Sequence, residues 1–102
     1  MRAVTHPPSD QLDLSLILDA LSDPIRRRIV IRLAACDEAV CSSFAEFAPK
    51  TNLSYHFTRL REAGLIRVRP EGTQRFISLR LSDLEIRFPG LLGSIIKAAG
   101  QE

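Results

Sequence analysis

Hydrophobic and polar positions alternate along this chain in two periods, and the helical one is clearest over residues 52–65, NLSYHFTRLREAGL. Leu53, Phe57 and Leu60 recur at i, i+4 and i+7, which places them on one apolar stripe of a helix, and Gly64 supplies a left-handed residue to end it. The opposite side carries Thr51, Ser54, Tyr55, Thr58 and Glu62, with Asn52 and Arg59 on a flank and Arg61 toward the other edge. Taken alone, such a donor-rich face reads as solvated surface. Its neighbours change that reading.

Upstream, residues 11–21 carry one apolar row, Leu14, Ile17, Leu18 and Leu21, and a second beside it, Leu12, Leu16 and Ala20. The surplus row either widens the core face or meets a partner subunit. Ser22-Asp23-Pro24 restarts the helix with a capping side chain and a proline at the first helical position. The second helix then runs to about residue 35, with Ile25, Ile29 and Leu33 inward. Its arginines, Arg26, Arg27, Arg28 and Arg32, form a solvated face that pairs with the aspartates of the first helix; one phosphate contact from among them is the alternative. The helical period fails between 35 and 43, where Val40 suits a short strand. Ser42 or Ser43 caps a brief helix that buries Phe44 and Phe47, Pro49 stops it, and the next helix begins near Lys50 or Thr51. A short helix, a tight turn and a longer amphipathic helix make a helix-turn-helix.

Downstream, Ile66 and Val68 alternate with Arg67 and Arg69, and Ile77, Leu79 and Leu81 alternate with Ser78 and Arg80, so a basic β-hairpin forms around Glu71-Gly72-Thr73. Ser82-Asp83-Leu84-Glu85 fits a capping box, and Pro89 starts a last helix to about residue 99 with Leu91, Leu92, Ile95, Ile96 and Ala99 on a broad apolar sector. The predicted fold is mainly α with a small β-hairpin (α+β): a winged helix-turn-helix of about five helices and a two- to three-stranded wing. The first and last helices carry more apolar surface than one small domain needs. Leu12, Leu16, Ala20, Leu91, Leu92, Ile95 and Ile96 are therefore the expected dimer interface.

Composition narrows the class. With 102 residues, 45% hydrophobic and 25% charged, the chain reads as one domain over residues 10–102 after a flexible N-terminal tail, 1–9, that contains His6, Pro7 and Pro8. A net charge of +2 and a pI near 8.8 permit nucleic-acid binding without requiring it. The distribution is more telling: Asp10, Asp13, Asp19 and Asp23 lie early, whereas Arg67, Arg69, Arg75 and Arg80 crowd the hairpin. No apolar run has membrane-spanning length and MRAVTHPPSD lacks a signal-peptide core, so a cytoplasmic protein with reduced cysteines is expected. No Ser, His and Asp set has a recognisable spacing and no glycine-rich phosphate loop exists, which argues against an enzyme.

ALSDPIRRRIVIRLA and NLSYHFTRLREAGLIRVRPEGTQRFISL resemble the ArsR/SmtB family of bacterial transcriptional repressors, over roughly residues 12–99. The resemblance implies a homodimer joined through its first and last helices, binding a pseudo-palindromic double-stranded DNA operator and repressing transcription until an effector lowers its affinity. On that reading Lys50, Thr51 and Asn52 meet phosphate at the helix N-terminus. Ser54, Tyr55, Thr58 and Arg59 read the groove, Arg59 being suited to guanine's two acceptors. Arg67, Arg69 and Arg75 of the wing meet flanking backbone. His56, bordering the stripe, makes a structural hydrogen bond or meets phosphate.

One departure from the family concerns sensing. Where metal sensors often carry Cys-Val-Cys this chain has Val40-Cys41-Ser42, and its last helix has no histidine. A sulfur and imidazole site would need Cys36, Cys41, His6 and His56 together, so no metal and no cofactor are expected. Cys36 and Cys41 read as small buried residues. The alternatives are a thiol- or metal-responsive repressor using that pair, and a winged-helix module for protein contacts.

Overall fold

The computed structural model describes residues 4–101. Its best-capped helix starts at Asp23, whose Oδ1 accepts the Ile25 and Arg26 amides at 2.8 and 3.2 Å. With Pro24 in its first turn, α2 (Pro24–Ala34) turns Ile29, Val30 and Leu33 into the core. Arg26 shares their face at helical spacing and is itself buried. The solvated α2 arginine face expected to pair with aspartates of the first helix instead makes other contacts among the described residues. Arg27 donates to the Leu21 carbonyl at 2.9 Å and Arg26 to the Ala20 carbonyl, so both close the C-terminus of α1 (Leu14–Ala20). Arg28 and Arg32 lie over the Phe47 ring at 4.4 and 4.3 Å, and Arg32 also bonds Glu46 at 2.6 Å.

The helix expected over 11–21 is divided. A 3-10 turn, Ser9–Gln11, is followed by Leu12 in extended conformation, and α1 begins only after Asp13, which accepts the Leu16 amide at 3.2 Å. An aspartate caps a helix better than it continues one, and the break lets Leu12 bury its side chain beneath Gly64. It also resets which face points inward: Leu12, Ile17, Ala20 and Leu21 are buried, whereas Leu14, Leu16 and Leu18 are 43%, 51% and 47% exposed.

The N-terminal segment is not a free tail where it is described. His6 Nε2 accepts the Val68 amide at 2.9 Å, Arg80 donates to the Pro7 carbonyl at 2.7 Å, and Arg61 donates to the Thr5 carbonyl. Composition hides this, because the partners are two arginines and one edge amide supplied from far along the chain. Residues 1–3 of that expected tail lie outside the described residues.

Strand β1 (Ala39–Val40) confirms the short strand at Val40. The brief third helix is a single 3-10 turn, Cys41–Phe44, in which the Ser43 hydroxyl donates back to the Val40 carbonyl at 2.7 Å instead of capping forward. Phe44 is fully buried and meets Phe47 and Phe57 edge to face at 5.5 and 5.6 Å. Helix α3 (Lys50–Glu62) follows Pro49 and ends into Gly64, with φ 83. Its inward row is Leu53, His56 and Leu60, with Phe57 half-buried beside it.

Strands β2 (Ile66–Glu71) and β3 (Gln74–Leu79) form the hairpin; Gly72, with φ 62, opens its two-residue turn. Strand β1 adds to β3, so the sheet order is β1-β3-β2 and all pairs are antiparallel. Pro70 lies on β2, an edge strand where its missing donor is tolerated. Helix α4 (Leu81–Arg87) takes Arg80 as its N-cap, two residues before the Ser82 of the expected capping box. Asp83 accepts Arg80 Nε at 3.0 Å and Glu85 reaches forward to the Gly90 amide at 3.1 Å, so neither serves that box. Leu81, expected on the inward face of a strand, opens this helix and is exposed. Gly90, with φ 79, then precedes α5 (Leu91–Ala99), which leaves Pro89 outside the helix. Five helices and a three-stranded antiparallel sheet make a winged helix-turn-helix of the α+β class.

Candidate nucleic-acid interface

Three features hold α3 with its polar side outward. Behind it, Arg26 Nη1 donates to His56 Nδ1 at 3.1 Å while its Nε bonds the Ala20 carbonyl, linking α3 to the junction of α1 and α2. Arginine has only donors, so His56 Nδ1 is the acceptor and its ring proton sits on Nε2. This is the structural hydrogen bond expected of His56. At one flank, Arg59 pairs with Asp19 of α1. At the C-terminal end, Gly64 lets the chain turn directly over Leu12.

The helix N-terminus faces outward without a side-chain cap. Pro49 offers no side-chain acceptor, and the first backbone bond of the helix is from the Leu53 amide to the Pro49 carbonyl at 2.9 Å. Lys50, Thr51 and Asn52, all exposed, surround this positive end. Further along, Ser54, Tyr55 and Thr58 are exposed as predicted, Tyr55 to 57%. Arg59 differs. Its guanidinium, expected to project for base reading, is occupied by Asp19, a partner some forty residues away in sequence that helix periodicity does not reveal.

Arg61 was not among the predicted contacts, yet with Ser54 and Thr58 it forms an i, i+4, i+7 row along a cleft between α3 and the hairpin. That spacing was present in the sequence. Arg26, likewise, is buried and not on the solvated face the sequence predicts, as its place three, four and seven positions before Ile29, Val30 and Leu33 requires.

Register sorts the wing arginines. Cross-strand partners share a face, and Arg67 pairs with Ser78 and Arg69 with Phe76, whereas Arg75 pairs with Pro70, in phase with Val68 and Ile77. Arg75 therefore belongs to the helix-facing side and lines the cleft, while Arg67 and Arg69 occupy the other face. There Arg67 meets Asp83 at 3.4 Å. Arg69 meets Glu38 at 2.8 Å, Glu71 at 3.5 Å and the Phe76 ring at 4.8 Å. The Arg69 hydrogen bond holds the Glu38 carboxyl below its usual range. Arg80 of the same basic run is buried and structural.

The cysteines do not form the expected buried pair. Cys36 is exposed, with Sγ 3.5 Å from the Arg32 carbonyl. Cys41 is half-buried at the floor of the cleft, where burial pushes its thiol up against a smaller opposing effect of Arg75. Among the described residues no three His, Cys, Asp or Glu side chains converge as metal ligands, and His6 and His56 each accept a hydrogen bond elsewhere. No described helix is long and apolar enough to cross a membrane.

Of the expected interface residues, Leu12, Ala20 and Leu92 belong to the protomer's own core, at 2%, 1% and 3% exposure. The division of α1 turned Leu12 and Ala20 inward, and Leu92 lies on the inward face of α5. Leu16 is exposed and Leu91, Ile95 and Ile96 are half-buried.

An outward polar helix with an open N-terminus beside a β-hairpin defines a DNA-binding protein of the winged helix-turn-helix class. The model of a helix-turn-helix domain matches residues 21–69. The uncharacterized HTH-type transcriptional regulator YceK of Bacillus subtilis (strain 168) is 35% identical over 95 residues, covering 90% of this chain and 95% of that protein. The chain thus belongs to the HTH-type transcriptional regulators, which are not enzymes. Its fold is that of an ArsR family transcriptional regulator of known crystal structure, with a TM-score of 0.65 at 24% identity over 95% of this chain and 93% of the other.

Proposed function

We propose that this ArsR-type regulator is a homodimeric repressor that binds a pseudo-palindromic operator and silences a promoter by occupying it. The observation that carries the reading is α3 itself: a donor-rich outward face with an uncapped N-terminus, held from behind by Arg26 and His56. In each half-site Lys50, Thr51 and Asn52 hold phosphate, while Ser54, Tyr55 and Thr58 face the major groove. Arg59 exchanges Asp19 for a guanine edge. Arg75 meets backbone beside the helix, and Arg67 and Arg69 give a more distant positive field, reduced by their carboxylate partners.

The dimer forms through α1 and α5. Leu14, Leu16 and Leu18 expose a leucine surface that a lone small domain has no use for, and Leu91, Ile95 and Ile96 lend an apolar sector on α5. Two copies of α3 about 34 Å apart then enter successive major grooves.

Genomic mapping of bound sites, followed by anisotropy titration on the recovered duplex between about 50 and 200 mM salt, tests this reading. Phosphate neutralisation gives a steep linear fall of log affinity with log salt. No duplex retention and a flat salt response would favour a protein-contact module instead.

A further inference from the structure

The cleft between α3 and the hairpin has a chemistry of its own. It encloses about 680 Å³, within the roughly 300–1,000 Å³ of small-molecule sites. Its floor is apolar: Val40, Cys41, Leu53, Phe57 and Val68. The elevated thiol of Cys41 adds no charge there. Among the described residues its rim is polar and carries three cations but no carboxylate: Lys50, Arg61 and Arg75, with Ser54, Thr58 and Gln74. Arg61 is tethered to the Thr5 carbonyl, whereas Lys50 and Arg75 have no ion pair among the described residues. An apolar floor under unpaired cations fits neither a neutral hydrocarbon nor a bare inorganic anion. The two parts are complementary together only to a molecule that has both an apolar body and a negative head.

We propose that this cleft binds a small amphipathic organic anion, a carboxylic acid with its carboxylate on Lys50 and Arg75 and its hydrocarbon body on the floor, and that occupation excludes DNA from those two cations. The exclusion rests on the DNA-binding reading above; the binding itself does not. Such a ligand acts at the reading head directly, with no change transmitted from a distant site.

Octanoate is the probe and octan-1-ol, with the same chain and no charge, the control. Titrated into the ¹⁵N-labelled full chain without DNA, octanoate is expected to give saturable shifts of the Val40, Cys41 and Ser54 amides and of residues 73–75. Arg75→Gln and Lys50→Gln are each expected to weaken that binding about tenfold, the loss of one charge-assisted contact, and octan-1-ol, which loses both, is expected to bind more weakly still. Spectra of both variants report whether they remain folded. Octanoate, but not octan-1-ol, is then expected to release the mapped operator duplex in anisotropy. Absence of saturable shifts, or equal affinity for octan-1-ol, overturns the site. Saturation with operator affinity unchanged overturns the exclusion. If no duplex is retained at all, the DNA-binding reading fails while the titration still decides the site.

Discussion

Single residues at three points carry more of this fold than their types suggest. Gly64 is one: its φ of 83 is costly for any other residue, and an added Cβ would lie 2.1 Å from Leu12 Cδ2. The backbone strain costs about 1 kcal/mol and the overpacking about 1–3 kcal/mol, so Gly64→Ala is expected to lose roughly 2–4 kcal/mol in urea denaturation. His6 is a second. Burial, then the charges of Arg67, Arg61 and Arg80, holds it below the ordinary 6.5, and its unprotonated Nε2 receives the Val68 amide. The unfolded chain therefore takes up this proton first as pH falls. The contact's stabilisation is complete above about pH 6.5 and is lost as pH drops through the lower folded value. His6→Gln keeps an acceptor that does not titrate, so thermal melts of this variant between pH 7.5 and 5 are expected to fall less steeply than those of the parent. Identical slopes would remove the assigned role. Arg26, the third, ties three helices through one guanidinium, and its loss would leave His56 buried with no donor at Nδ1.

At the scale of elements, the sequence was most readable where one local interaction decides the outcome. Asp23-Pro24 opened α2 and Gly64 closed α3 as expected, because capping and left-handed turns need only neighbouring atoms. Asp23→Ala is accordingly expected to cost about 1 kcal/mol in denaturant unfolding. Burial tends to raise the Asp23 carboxyl, but the Arg26 and Ile25 amides and nearby positive charge bring it below 3.8. This contribution is therefore present at neutral pH and lost as pH falls through that lower value. Long-range choices were less legible. The break at Leu12 depended on a hole under Gly64, and the side of the hairpin taken by Arg75 depended on a register that the alternation of residues alone left open. The polar face of α3 was readable throughout; the occupation of Arg59 by Asp19 and the role of Arg61 in the cleft required the fold.

For the molecule as a whole, exposed leucines and an interrupted first helix make separable predictions. Leu16→Glu alters surface in the isolated protomer and is expected to shift sedimentation from dimer to monomer with helical circular dichroism retained. Ile17→Ala, one position on, removes a fully buried side chain and is expected to cost about 2–5 kcal/mol of stability. A monomer from both parent and Leu16→Glu at micromolar concentration would exclude the α1 interface.

The pairing of Arg59 with Asp19 bears on discrimination among DNA sequences. Both side chains are more than a third exposed, at 38% and 55%, so the bond contributes at most about 1 kcal/mol and parts easily. A phosphate offers Arg59 the same kind of charged oxygens that Asp19 does, whereas the two acceptors on a guanine edge are uncharged but specific to that base. On the proposed function, Asp19 competes with DNA for Arg59. Removing Asp19 is expected to raise operator affinity by up to about fivefold, the ~1 kcal/mol of the pair, and affinity for random duplex by no more than that.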